Sequence, residues 1–160
     1  MQLTPTLAIF VDVQNVYYTC RQAYKQNFDY NRFWQEVNHG YEVKHAFAYA
    51  IGRDDEKQKQ FQNILRAIGF EIKLKPFIQR ADGSAKGDWD VGITIDMMDI
   101  AQSVDKLVLV SGDGDFAMLL DRISEKFQKP TDVYGVPSLT SDMLIRSSAR
   151  FIAIDDTLLL

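Results

Sequence analysis

The chain has 160 residues, 46% of them hydrophobic, with a formal net charge of −4 and a single cysteine, Cys20. That length fits one domain over 1–160 with a real core, and the composition excludes wholesale disorder. One cysteine excludes an internal disulfide and a thiolate metal cluster; the apolar runs are too short to span a bilayer; and an acidic chain without a basic tract cannot hold nucleic acid by bulk charge. The N-terminal MQLTPTLAIF lacks a basic segment followed by a long apolar one, so no signal peptide is expected and the expected location is the cytoplasm.

In chain order, LAIFVDV (7–13) is an apolar run ending in polar residues and predicts a buried strand. VYYTCRQAYKQN predicts a helix of loose pattern. NRFWQEVNHG (31–40) predicts a short helix with Asn31 as N-cap and Gly40 as its stop. HAFAYAI (45–51) predicts a second strand. DDEKQKQFQNILRAIGF predicts an amphipathic helix with Phe61, Ile64, Leu65 and Ile68 inward, closed by Gly69. EIKLKPF (71–77) alternates, as a strand with one wetter face does, and residues 79–87 predict a loop. DWDVGITIDMMDIAQSV predicts a helix with Val91, Ile95 and Met98 on its inner stripe. KLVLVSG predicts a buried strand, and DFAMLLDRISEKFQ a helix with Phe116, Leu119, Leu120, Ile123 and Phe127 inward. PTDVYGV, SLTSDMLIRSSA and RFIAIDD predict strand, helix and strand.

Strands alternating with helices imply an α/β fold, a mostly parallel sheet with helices on both faces. In such sheets ligands bind beyond the C-terminal strand ends, where the strand order reverses. Two strands end there in acids. The first ends in VDVQN, with Asp12 and Asn15, and a later one in SGDGDF, with Ser111, Asp113 and Asp115. A helix opening with DWD starts at the same edge and carries Asp88 and Asp90, then Asp96 and Asp99. Asp12 alone has an ordinary explanation as a helix cap. Asp88 and Asp90 have one in the helix dipole. Two acids in one S-G-D-G-D turn exceed what the turn needs. Asp96 lies six residues from Asp90, about 9 Å along the axis, and either reaches the site's edge or pairs with a base. Asp99 is read as solvated surface. Lys86 and Arg80 are candidate phosphate contacts, with ordinary loop charge the better reading for Arg80.

His39 and His45 lack metal-ligand spacing and are read as structural. Trp34, Trp89, Tyr17 and Tyr18 are read as core or edge aromatics. No P-loop, dinucleotide-binding or nucleophile-elbow motif occurs. The D-x-D-x-[TV] motif of haloacid dehalogenase-type phosphatases fails on the first strand, because Gln14 stands where the second acid should be. An all-carboxylate cluster selects a hard cation, Mg²⁺ or Mn²⁺, and such a centre can activate water and stabilise the departing oxygen of a phosphodiester.

Together, FVDVQN, KGDWDVGITIDMM and LVLVSGDGDF resemble, in order and context, the NYN domain family, in particular its bacterial LabA-like branch. The resemblance runs from about Leu7 to Ile154. It implies a PIN-like three-layer α/β/α sandwich related to metal-dependent nucleases, an aspartate cluster that binds Mg²⁺ or Mn²⁺, and RNA as substrate. Single-stranded RNA is the expected form, since its splayed phosphates and bases enter a small pocket that a duplex cannot. Matched position by position, it implies metal ligands at Asp12, Asp90, Asp96, Asp113 and Asp115, with Asp12, Asp90, Asp113 and Asp115 catalytic. Asn15, Lys86 and Ser111 are the expected substrate contacts. The expected activity is metal-dependent hydrolysis of RNA. The alternative is a non-catalytic LabA-like regulatory protein that binds RNA or a protein partner.

Overall fold

The computed structural model describes residues 3–52, 55–76, 78–79, 85–86 and 88–160. The apolar runs become strands and the periodic segments helices. In order these are β1 (Thr6–Asp12), α1 (Val13–Tyr24), α2 (Tyr30–Asn38), β2 (Glu42–Gly52), α3 (Glu56–Ile68) and β3 (Glu71–Pro76). A small hairpin follows, β4 (Ile78–Gln79) with β5 (Ala85–Lys86). Then come α4 (Asp90–Ile100), β6 (Lys106–Val110), α5 (Ala117–Phe127), β7 (Thr131–Gly135), α6 (Asp142–Ser147) and β8 (Arg150–Ala153).

Six strands form one sheet in the order β3-β2-β1-β6-β7-β8. Every pairing in it is parallel. The chain builds outward from β1 to β3, returns to lay β6 against β1, and builds outward again. The order therefore reverses between β1 and β6, where a crevice opens beyond the strand ends.

Both faces of the sheet are covered, so its central strands are apolar throughout rather than alternating. Leu7, Ile9 and Val11 of β1 face the layer of α1, α2 and α3, packing with Val16, Phe33 and Leu65. Ala8 and Phe10 face α4, α5 and α6, packing with Ile93, Leu120 and Leu144. Each large side chain buried this way contributes about 1.5–3 kcal/mol. The acids at the strand ends thus stand on a stiff platform. The expected three-layer α/β/α sandwich, PIN-like in plan, is the observed fold, and its main sheet is wholly parallel.

Several local expectations change. Asp29 caps α2, accepting from Arg32 N–H at 3.0 Å, in place of Asn31. Asp12 caps α1, which therefore starts at Val13, three residues before the predicted start. In α3, Ile64 is exposed and Gln62 is buried. In α4 the inner residues are Ile93 and Met97, while Val91 and Ile95 face solvent. Residues 79–87, expected as a loop, include paired strand residues at Gln79, Ala85 and Lys86. The last helix is short because residues Pro137–Leu139 form a separate 3-10 turn. Thr140 Oγ1 donates to the Val136 carbonyl at 2.7 Å and Ser141 N–H to the Gly112 carbonyl at 3.1 Å, which pins this segment before α6 begins.

Candidate metal centre

Asp12 is the last residue of β1 and is 8% exposed. Its Oδ1 accepts from the Asn15 N–H at 3.5 Å, and its Oδ2 accepts from Ser111 Oγ at 3.2 Å. Capping and site-building thus fall to one carboxylate. Asn15 extends the tie across the crevice, its Oδ1 accepting from the Gly112 N–H at 2.9 Å. Ser111 is fully buried and accepts in turn from the Asp113 N–H at 3.2 Å. Its hydroxyl ties the two acids together. Asp113 Oδ1 accepts from the Asp115 N–H at 2.9 Å, capping the 3-10 turn Gly114–Phe116.

Gly112 must be glycine for lack of space. A Cβ there would lie 2.7 Å from the Leu139 carbonyl oxygen and 3.2 Å from Thr140 Oγ1. The acidic loop is clamped between α1 and residues 139–141.

Asp90 comes from the other side, as the first residue of α4. Trp89 sets that helix in place. Its Nε1 donates to the Ala50 carbonyl of β2 at 2.9 Å. Lys75 Nζ of β3 sits 4.7 Å from the centre of the Trp89 ring and donates to the Asp88 carbonyl at 3.1 Å. The indole also lies against Gly92, where a Cβ would be 2.5 Å from it. From the sequence, Trp89 is expected only as a core or edge aromatic. A glycine one turn after a tryptophan, and lysines alternating along the wetter face of β3, were the available signals.

One carboxylate oxygen each from Asp90, Asp113 and Asp115 lies within 4.8 Å of the others. Asp12 stands beside this trio rather than in it. Among the described residues no lysine or arginine pairs with any of the four. The electrostatic result is plain. Burial lifts the Asp90 carboxyl to about 7, helped by a hydrogen bond shared with Asp113 and by the charges of Asp113, Asp88 and Asp12. Burial also lifts Asp12 to about 6, opposed by the hydrogen bonds from Asn15 and Ser111 and reinforced by Asp113 and Asp88. Crowded oxygens without a compensating base suit a hard divalent cation, and the donor set excludes a soft one.

Asp96, expected among the ligands, is placed elsewhere. Its Oδ2 receives Lys73 Nζ and the Tyr49 hydroxyl, each at 2.7 Å. Burial and this bond to Asp96 push the Tyr49 phenol well above its usual range. A carboxylate so engaged has its charge neutralised within the protein. Asp99 is exposed, as read from the sequence. Tyr17 and Tyr18 are not core; they are 52% and 55% exposed. His39 and His45 are exposed and lie in no metal-holding group of described residues. The backbone of Lys86 belongs to β5, while its side chain and all of Arg80 lie outside the described residues.

Among the described residues no helix is long and apolar enough to cross a membrane. The NYN domain model matches residues 6–155. The chain is 28% identical over 158 residues to the low amplitude and bright protein LabA of Synechococcus elongatus, covering 94% of this chain and 84% of that protein. It is 59% identical to a protein of unknown function from Vibrio parahaemolyticus, whose crystal structure superposes with a TM-score of 0.95 over the whole of both chains.

Proposed function

The chain belongs to the NYN domain family, and on that basis we propose that it hydrolyses phosphodiester bonds of RNA, single strands above all, at a Mg²⁺ or Mn²⁺ centre. The observation that carries this reading is the convergence of Asp90, Asp113 and Asp115 within 4.8 Å, with no basic partner among the described residues. These three would hold the ion, with Asp12 at its side. When bound, such an ion lowers the barrier by stabilising negative charge on the attacking and departing oxygens.

The chain's own groups then have distinct tasks. Asp115, the most exposed of the trio, faces the incoming strand. Asp12 is buried at the foot of the crevice and, once ionised, accepts a proton from the attacking water. Ser111 and the main chain of Gly112 fix the distance between Asp12 and Asp113. Asn15 uses its Oδ1 on Gly112, which leaves its amide N–H₂ to donate to a phosphate oxygen. Lys86, in the hairpin that precedes α4, supplies a further phosphate contact. A net charge of −4 makes the ion the main source of attraction for the phosphate chain.

The test is a cleavage time course on mixed RNA with purified protein and Mn²⁺, beside EDTA and Asp113→Asn arms. Metal-dependent cleavage that the substitution abolishes is the expected result. Cleavage that survives both EDTA and the substitution would come from a contaminant. No metal-dependent cleavage of any RNA or DNA would leave the regulatory reading in its place.

A further inference from the structure

Lys73 and Lys75 alternate along β3 and so share the face that looks toward α4. The charge of Lys73 is met by Asp96. That of Lys75 is not met by any carboxylate among the described residues. The parallel register sets Tyr49 level with both Asp12 and Lys73, and Ile51 level with Lys75. Lys75 therefore stands two residues, about 7 Å, beyond the level of Asp12 toward the carboxyl edge of the sheet. It lies two strands from β1, about 10 Å to the side.

The start of α4 closes that distance. Lys75 Nζ donates to the Asp88 carbonyl at 3.1 Å and lies 4.7 Å from the centre of the Trp89 ring. Two residues of chain reach at most about 7 Å, so the ammonium is within about 10 Å of the Asp90 backbone. The indole beneath it is itself tied to the Ala50 carbonyl, so the charge has a fixed seat. A carbonyl and a ring are neutral partners, and the carbonyl takes one of three N–H donors. A seated, uncancelled cation thus borders the acidic crevice without entering it. Such an ammonium suits a phosphate, which it binds as a point charge.

We propose that Lys75 is a phosphate contact for the RNA strand, holding a backbone phosphate that neighbours the one over Asp90, Asp113 and Asp115. The inference rests on the proposed nuclease reading and adds to it a binding residue outside the carboxylate cluster. The ion serves the phosphate that is cut, and Lys75 serves its neighbour. Lys75 thereby sets how the strand lies, with the neighbouring nucleotide over the start of α4. A backbone contact of this kind positions the strand and reads no sequence.

The experiment is an anisotropy titration of a fluorescent hexamer of uridine nucleotides with the full chain. Ca²⁺ is held fixed, to bind a hard ion without fast turnover, and KCl is varied. Each phosphate contact adds about 0.7 to the slope of log affinity against log salt for a single strand. Lys75→Met keeps an apolar stem over Trp89 and removes the charge. It should lower that slope by about 0.7 and weaken binding about tenfold, the low end for a hydrogen bond to a charged group. Lys75→Arg should restore the slope. Mn²⁺ affinity by calorimetry without RNA should match wild type in both variants, which separates a phosphate contact from a lysine that only steadies α4. An unchanged slope in Lys75→Met, or a loss of Mn²⁺ affinity that accounts for its weaker binding, would overturn the contact and leave the nuclease reading standing. Failure of wild type to bind the hexamer at any salt concentration would overturn both.

Discussion

Asp12→Asn tests the electrostatics of the crevice. The Asp12 carboxyl rises from 3.8 to about 6 because it is buried among other acids. Below about pH 3 folded and unfolded chains both hold the proton, and the group contributes nothing. As pH rises, the unfolded chain loses it first, so stability falls until the folded pKa is passed. At about 1.4 kcal/mol for each tenfold gain in proton affinity, a rise of this size costs the native state about 3 kcal/mol at pH 8, and about half that at pH 5. Asparagine removes the charge, keeps one oxygen for the Asn15 N–H and presents its amide N–H₂ as a donor to Ser111 Oγ. The pKa of about 6 already includes what those bonds give the charged form, so the net gain at pH 8 is about 3 kcal/mol, or a melting temperature higher by about 6–12 °C for a chain of this size. Thermal melts followed by circular dichroism at pH 4, 5 and 8 in EDTA provide the assay. The advantage of the variant should shrink as pH falls, to about 0.5 kcal/mol at pH 4. Adding millimolar Mn²⁺ at pH 8 should raise the wild type, by about 2.7 kcal/mol once the ion reaches a hundredfold its dissociation constant, and raise the variant much less. A variant no more stable than wild type at pH 8 in EDTA, or a difference independent of pH, would refute the reasoning.

Asp113→Asn should abolish metal-dependent RNA cleavage and leave the far-ultraviolet spectrum unchanged, since asparagine still caps the Gly114–Phe116 turn; residual metal-dependent turnover in that variant would remove Asp113 from the proposed ligands. Asp96→Asn should behave oppositely, losing about 1 kcal/mol or less through its half-buried partner Lys73 while keeping metal affinity and cleavage; a large fall in metal affinity by calorimetry would make it a ligand after all. Gly112→Ala should cost about 1–3 kcal/mol, because the Leu139 carbonyl that its Cβ would meet at 2.7 Å is backbone and cannot swing aside; urea unfolding measures this, and an unchanged midpoint would show that the loop is looser than its packing implies. Trp89→Phe should weaken Mn²⁺ binding by removing the bond to the Ala50 carbonyl that aims Asp90, with calorimetric affinity equal to wild type counting against that role.

Much of this protein was legible in the chain itself. Strand against helix followed from period and apolar content, and the alternation of the two required a parallel sheet with its acids at one edge. Asp12, Asp113 and Asp115 were placed there by local sequence alone, because a residue that ends a buried strand has nowhere else to go. The choice of face on α4 was not legible. That helix carries apolar residues at 91, 93, 95, 97, 98 and 100, so its period is ambiguous. Only the tertiary contacts of Trp89 with Ala50 and of Asp96 with Lys73 turn Ile93 and Met97 inward. The fate of Asp96 was undecided for the same reason: Lys73 is 23 residues away in the chain, and the long crossover to α4 brings them together. The exposure of Tyr17 and Tyr18 was likewise undecided, since two adjacent tyrosines satisfy a core or a surface equally well until the packing of Val16 and Cys20 fixes the helix rotation. Local sequence sets which element a residue joins and which strand end it occupies. Which way a helix is turned about its own axis is a sum over distant partners, and the fold alone decides it.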